Sequence, residues 1–237
     1  MSRAYLYKMT SDRGGAPCAI EPAAGQDPLL TLAICKPAIR RTAQPGDRIL
    51  GITSHALAHT DGYPLLSVIY AAVVVEAVEA RDYFSPQTQF SSRPDCIYQF
   101  HQQNGRASHS GRSALHRTEA HLAKDLGSYP YYRNGRVLVC RDFRYFGSDA
   151  VKIPARLHLL QTAADTLGQG HRVYEERDPE WREIDALFRF LWKKPTHSTP
   201  ATVEAEAYDR GGKHTRGKAG CLTESSGSAG CLLPRCG

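Results

Sequence analysis

The strong apolar runs of this chain are short, rich in β-branched and aromatic residues, and all end before residue 195. Tyr5 to Met9 (YLYKM) alternates apolar and polar positions, whereas Leu29 to Cys35 (LLTLAIC) is apolar on both faces, as a central strand requires. Arg48 to Thr53 follows Pro45-Gly46-Asp47, which has turn chemistry. Leu66 to Val78, Cys96 to Phe100 and Val137 to Phe143 extend the set to six strands, with Glu76 to Arg81 equally able to open a helix. Helical spacing comes late. Trp181, Ile184, Leu187, Phe188, Leu191 and Trp192 recur at three and four behind Asp178-Pro179-Glu180, an N-terminal signature. Lys193 and Lys194 suit the far end of that helix dipole. Ala155 to Leu167 carries a second helical pattern. Strands at short spacing followed by helices predict an α+β fold, either a curled mixed β-sheet or a small barrel.

From Pro195 onward Ser, Thr, Gly and charge dominate, and that composition buries too little apolar surface to offset its ordering entropy. The expected division is a folded domain over 1–194 and a disordered tail over 195–237. The longest apolar stretch, Val68 to Ala80, is interrupted by Glu76 and Glu79 and is shorter than the ~20 residues of a membrane helix. No apolar segment follows Met1, so the expectation is a cytoplasmic protein with no membrane partner. Against 24 Asp+Glu stand 30 Lys+Arg, a net charge of +6 that fits an anionic partner. The seven cysteines show no CxxC spacing and read as free thiols, with neither metal nor cofactor expected.

Several segments hold candidate chemistry. Lys36 to Arg48 carries four cations against one acid directly after an apolar run. It reads either as a solvated basic turn or as a phosphate site built on Lys36, Arg40 and Arg41. In the loop Asp12-Arg13-Gly14-Gly15, Gly14 permits close backbone approach to a ligand, and Asp12 is either a turn residue or an acceptor for a base edge. Asp142-Phe143-Arg144-Tyr145-Phe146 is core packing or a stacking platform. His55 and His59 lie in a stretch that reads more as loop than helix, without a third metal ligand. The polar segment 101–125, with His101, His109, His116 and His121, reads as a mobile surface insertion or a cationic loop over nucleic acid. Cys35, in its apolar run, is expected to be buried and inert. No Gly-x-Ser-x-Gly or Ser–His–Asp order is recognisable.

The run Leu30 to Pro37 with Ile39-Arg40-Arg41, Gly46-Asp47 and Gly51 resembles the nucleotide modification associated domain family, second type. Asp12-x-Gly14-x-Ala16-Pro17 resembles its N-terminal loop, and Asp142 to Gly147 with Pro154 its late strand motif. The likeness spans residues 5–194 and implies a bacterial or phage setting linked to modified nucleotides in DNA. Gly46-Asp47-Arg48-Ile49-Leu50 is also similar to a turn of PUA-like barrels, which would make the small barrel PUA-like.

Three functions follow as expectations. The first is a binding module for a nucleotide or DNA base, with phosphate at Lys36, Arg40 and Arg41, the base at Tyr145 or Phe146, and Asp12 or Asp47 as acceptor. The second is an enzyme on a nucleotide or modified base with Asp12, Asp47 or Asp142 as general base. The third is a protein–protein adaptor in a modification or defence system.

Overall fold

A computed structural model describes residues 2–20 and 27–197. In chain order the elements are β1 (Arg3–Met9), β2 (Cys18–Ile20), β3 (Leu29–Leu32), α1 (Pro37–Thr42), β4 (Arg48–Thr53), α2 (His55–Asp61), β5 (Ser67–Val73) and β6 (Glu76–Glu79). There follow α3 (Ala80–Tyr83), β7 (Tyr98–Phe100), β8 (Ala107–His109), α4 (Glu119–Leu126), β9 (Arg136–Cys140) and β10 (Asp142–Tyr145). A 3-10 turn (Gly147–Asp149), β11 (Val151–Lys152), α5 (His158–Thr166), β12 (His171–Glu175) and α6 (Trp181–Leu191) complete it.

The largest sheet runs β10-β5-β4-β1-β12, with β11 also on β5. Only the β1–β4 pair in it is parallel. A second sheet, β2-β3-β9-β6, is antiparallel throughout, and β7 and β8 form a separate hairpin. The α+β expectation holds. Among the described residues, however, the large sheet is open, with β10 and β12 at the ends of its order, and does not close into the expected small barrel.

Both faces of the large sheet are buried, which is why β1 lacks a polar face. Ala4 and Leu6 point with Leu50, Ile52 and Ala71 toward α5 and α6, whereas Tyr5, Tyr7 and Met9 point with Ile49, Tyr70 and Ala72 toward Leu30, Leu32, Leu138 and Cys140 of the second sheet. The other face of the second sheet, with Val137 and Val139, packs on Tyr83, Phe84, Tyr98, Leu122 and Leu126. Gly51 is required at the crossing of β4 and β5. A Cβ there would lie 2.3 Å from the Tyr70 ring and 2.7 Å from the Met9 sulfur.

Several expectations need correcting. Residues 55–61 are helix, with Ser54 accepting from the Leu57 N–H at one end and Gly62 in the left-handed region at the other. The supposed insertion 101–125 holds β8 and most of α4, whose Thr118 caps the His121 N–H. The basic stretch after Lys36 is helix α1. Thr196 and His197 still hydrogen-bond to the Tyr145 backbone, and the expected tail from 198 onward lies outside the described residues.

Candidate active site

Strand β3 stops at Leu32, and two residues later the backbone turns sharply. Cys35 and Lys36 both take left-handed conformations, with φ of 57° and 43°. Such geometry costs side-chain-bearing residues about 1–3 kcal/mol each, so surrounding contacts must impose it. Pro37 then starts α1, where its missing N–H costs nothing. The Cys35 N–H donates to Asp125 Oδ1 at 2.8 Å, and its carbonyl accepts from Arg40 Nε at 2.7 Å. Lys36 Nζ donates to the Lys8 carbonyl at 3.3 Å and stands 4.4 Å from the centre of the Tyr7 ring.

The Cys35 sulfur faces His116. Its Sγ lies 3.5 Å from His116 Nε2, while His116 Nδ1 is 2.5 Å from Asp125 Oδ2. His116 is itself left-handed (φ 50°), and its side chain is 21 % exposed. Asp125, in the last turn of α4, is fully buried and also accepts from the Tyr98 hydroxyl at 2.8 Å. Burial opposes charge on His116, but hydrogen bonds to Asp125 and Cys35 outweigh it and raise its pKa to about 10. Burial likewise penalises the Asp125 carboxylate, yet His116, Tyr98 and the Cys35 N–H together hold its pKa below the usual value. His121 stacks on His116 with centroids 4.8 Å apart; burial first, and the His116 charge second, lower its pKa.

Beside this trio lies a tyrosine-rich patch on the sheet face. Asp12 Oδ2 accepts from Tyr145 at 2.6 Å and Tyr63 at 3.1 Å, and its Oδ1 is buried without a partner. Burial raises the Asp12 pKa against the effect of those two phenols. Tyr7 and Tyr70 share a hydroxyl–hydroxyl bond of 2.8 Å, and Tyr7 feels the charges of both Cys35 and Asp12. Burial lowers the Lys36 pKa against the pull of Cys35. The glycine loop packs here too: Gly14 is left-handed, and a Cβ on Gly15 would meet Leu115 at 2.6 Å and Ile34 at 3.2 Å, the residues before His116 and Cys35. Perturbed carboxyl, amine and imidazole groups gathered with strained backbone make this region the candidate site.

Residues 1–207 match the sequence profile of nucleotide modification associated domain 2. The chain belongs to this family. No curated protein and no solved structure matches it.

Of the residues singled out from the sequence, this family member brings Asp12, Gly14, Lys36 and Tyr145 to one region. Arg40 lies behind it, fully buried, with four of its five N–H donors directed to the carbonyls of Cys35, Asn134, Arg136 and Asp125. Arg41 is exposed and reaches Asn134 Oδ1 at 2.9 Å. Asp47 is buried and accepts from the N–H groups of Arg3 and Gln44 and from the Arg3 guanidinium. Asp142 accepts from Trp192 Nε1 at 2.6 Å. Phe146 points into the core beneath α5 and α6, away from Tyr145.

Cys35 is not the buried thiol that its apolar run predicts. Cys18, Cys96 and Cys140 are buried, whereas Cys35 is half-buried beside an imidazole. His116, Asp125, Tyr98, Tyr63, Tyr7 and Tyr70 were not legible as site residues. The one available signal was the Thr118 cap followed by Leu122, Leu126 and Gly127, which places Asp125 on a short helix.

Cys35, His116 and Asp125 also have ligating atoms within 4.8 Å of one another. The imidazole, however, turns opposite ring nitrogens to its two partners, and the carboxylate already receives Cys35 N–H, Tyr98 O–H and His116. That is the connectivity of a proton relay; a shared metal would need all three groups to converge on one point.

Proposed function

We propose that this domain is a thiol-dependent acyl-transfer enzyme of nucleotide modification, acting on an amide or ester bond carried by a nucleotide. The observation that carries the reading is the relay itself, with Sγ 3.5 Å from Nε2 and Nδ1 2.5 Å from the carboxylate. An imidazolium beside a thiol is the partner that a thiolate nucleophile needs. With the shared proton already resting on His116, Cys35 Sγ adds to the acyl carbon as a thiolate, and His116 Nε2 gives that proton to the departing amine or alkoxide as the bond breaks. Water or an acceptor amine next attacks the thioester and gives its proton to the now neutral His116 as the sulfur is released, which restores the starting pair. Asp125 is a positioning residue that fixes the imidazole, and Arg40 and Tyr98 hold Asp125 and the Cys35 backbone in place. The unpartnered Oδ1 of Asp12 suits a base N–H, and Lys36, next to Cys35 in the basic segment, feels its charge.

The test is iodoacetamide labelling at pH 7 with peptide mapping, which counts Cys35 apart from the six other cysteines. Cys35 should react at least about tenfold faster than glutathione, and His116→Ala should abolish that excess. Incubation with N-acylated nucleoside monophosphates should then leave a hydroxylamine-sensitive mass on Cys35. A Cys35 rate equal to that of glutathione, unchanged in His116→Ala, overturns the proposal.

A further inference from the structure

A second surface gathers four arginines, with Glu79 as the acid that lines it. The β7–β8 hairpin, α3 and residues 84–112 frame a cleft of about 320 Å³. Arg81, Phe100 and Arg112 line it, and Arg81 and Phe100 also line a smaller hollow reaching Tyr131 and Tyr132. Tyr131 is 77 % exposed and Tyr129 47 %, and each has an arginine at its ring: Arg133 at 5.8 Å and Arg106 at 5.0 Å. Arg81 stands 4.8 Å from Phe100. Among the described residues, none of Arg81, Arg106, Arg112 and Arg133 forms an ion pair.

Flat rings left in solvent, each beside a guanidinium, suit a ligand that alternates a stacking face with an anion. A protein partner would instead favour a broad apolar centre, whereas the apolar floor of this cleft, Phe84, Tyr98 and Phe100, is narrow and rimmed by Ser85, Gln87, Gln99, Gln102 and two arginines. Tyr98 links the cleft to the thiol site, since it lines the one and its buried hydroxyl donates to Asp125 of the other. We infer that this arginine–tyrosine strip binds single-stranded nucleic acid, so that the thiol site acts on a base within a strand. The second half of that statement rests on the acyl-transfer reading; the binding itself does not.

The experiment is fluorescence anisotropy of labelled 12-mer oligo(dT) and oligo(rU) with full-length Cys35→Ser protein, which keeps the two questions apart. Four phosphate contacts give a slope of log K against log salt of about −2.8 for a single strand, roughly a fiftyfold loss between 50 and 200 mM salt. Tyr131→Ala should weaken binding by about tenfold, and Arg81→Ala with Arg133→Ala should bring the slope to about −1.4. Circular dichroism verifies that these surface variants stay folded. Stronger binding to oligo(dT) or to oligo(rU) names the polymer. No binding at 50 mM salt, equal binding to duplex DNA, or binding untouched by both sets of variants overturns the inference. Failure of the acyl-transfer reading is registered separately, by Cys35 labelling in the wild-type chain.

Discussion

Asp125 concentrates more of this site than any other side chain. Its two oxygens receive the Cys35 N–H, the Tyr98 hydroxyl and His116, and its carbonyl takes the Arg40 guanidinium. Asp125→Ala strands a buried N–H and a buried hydroxyl and removes the counter-charge of His116. We expect a loss of about 3–5 kcal/mol in urea unfolding. The pH dependence follows from His116. Its folded pKa of about 10 lies above the unconstrained 6.5, so its stabilisation is complete below pH 6.5 and is lost as pH rises toward 10. The lowered Asp125 pKa acts in the opposite direction, giving stability above its unfolded value that is lost in acid. Urea midpoints should therefore fall between pH 7 and 10 in wild type and stay nearly level over that range in His116→Ala. A parallel decline in both proteins would mean that some other group titrates.

At the level of elements, what was legible depended on how a helix or strand declares its buried face. Helix α6 declares it fully, since Trp181, Ile184, Leu187, Phe188 and Leu191 are all buried and all apolar. Helix α4 buries Leu122, Asp125 and Leu126, so the acid that the site uses interrupts the apolar stripe that would have revealed the helix. Helix α2 buries only Leu57, leaving its two caps as the sole signals. Strand β3 reads correctly until Leu32, but the strained turn at Cys35 comes from Asp125 and Arg40, about 90 and five residues away, which no local pattern reports. Strands β4 and β5 offer a direct test of element packing. Gly51→Ala places a methyl against the Tyr70 ring, and overpacking of this kind costs about 1–3 kcal/mol. Because Tyr70 holds Tyr7, and Tyr7 lies beneath Lys36, the same variant should slow Cys35 labelling. Lost stability with an unchanged labelling rate would detach the tyrosine pair from the site.

Across the whole molecule, the second sheet ties the cores together. Leu138 and Cys140 of β9 face the large sheet, while Val137 and Val139 of the same strand face α4 and the aromatic cluster. The site sits at this junction: Cys35 follows β3, and His116 and Asp125 come from the segment packed on the far side. Sequence order hides this, because the polar segment supplying two of the three residues looks detachable. If it were detachable, it would open before the rest. Buried thiols report on that directly. Burial pushes the Cys96 thiol up to about 11 and drives Cys18 and Cys140 higher still, so none reacts while its surroundings stay closed. Cys96 lies in the aromatic core and Cys140 in the core between the sheets. Because one strand serves both cores, opening either removes a wall of the other, and unfolding should be a single cooperative step. In rising urea, Cys96 and Cys140 should become reactive at the same midpoint, with Cys35 labelled throughout. Earlier exposure of Cys96 would show that the segment carrying His116 and Asp125 opens on its own, and the relay would then exist only while that segment is closed.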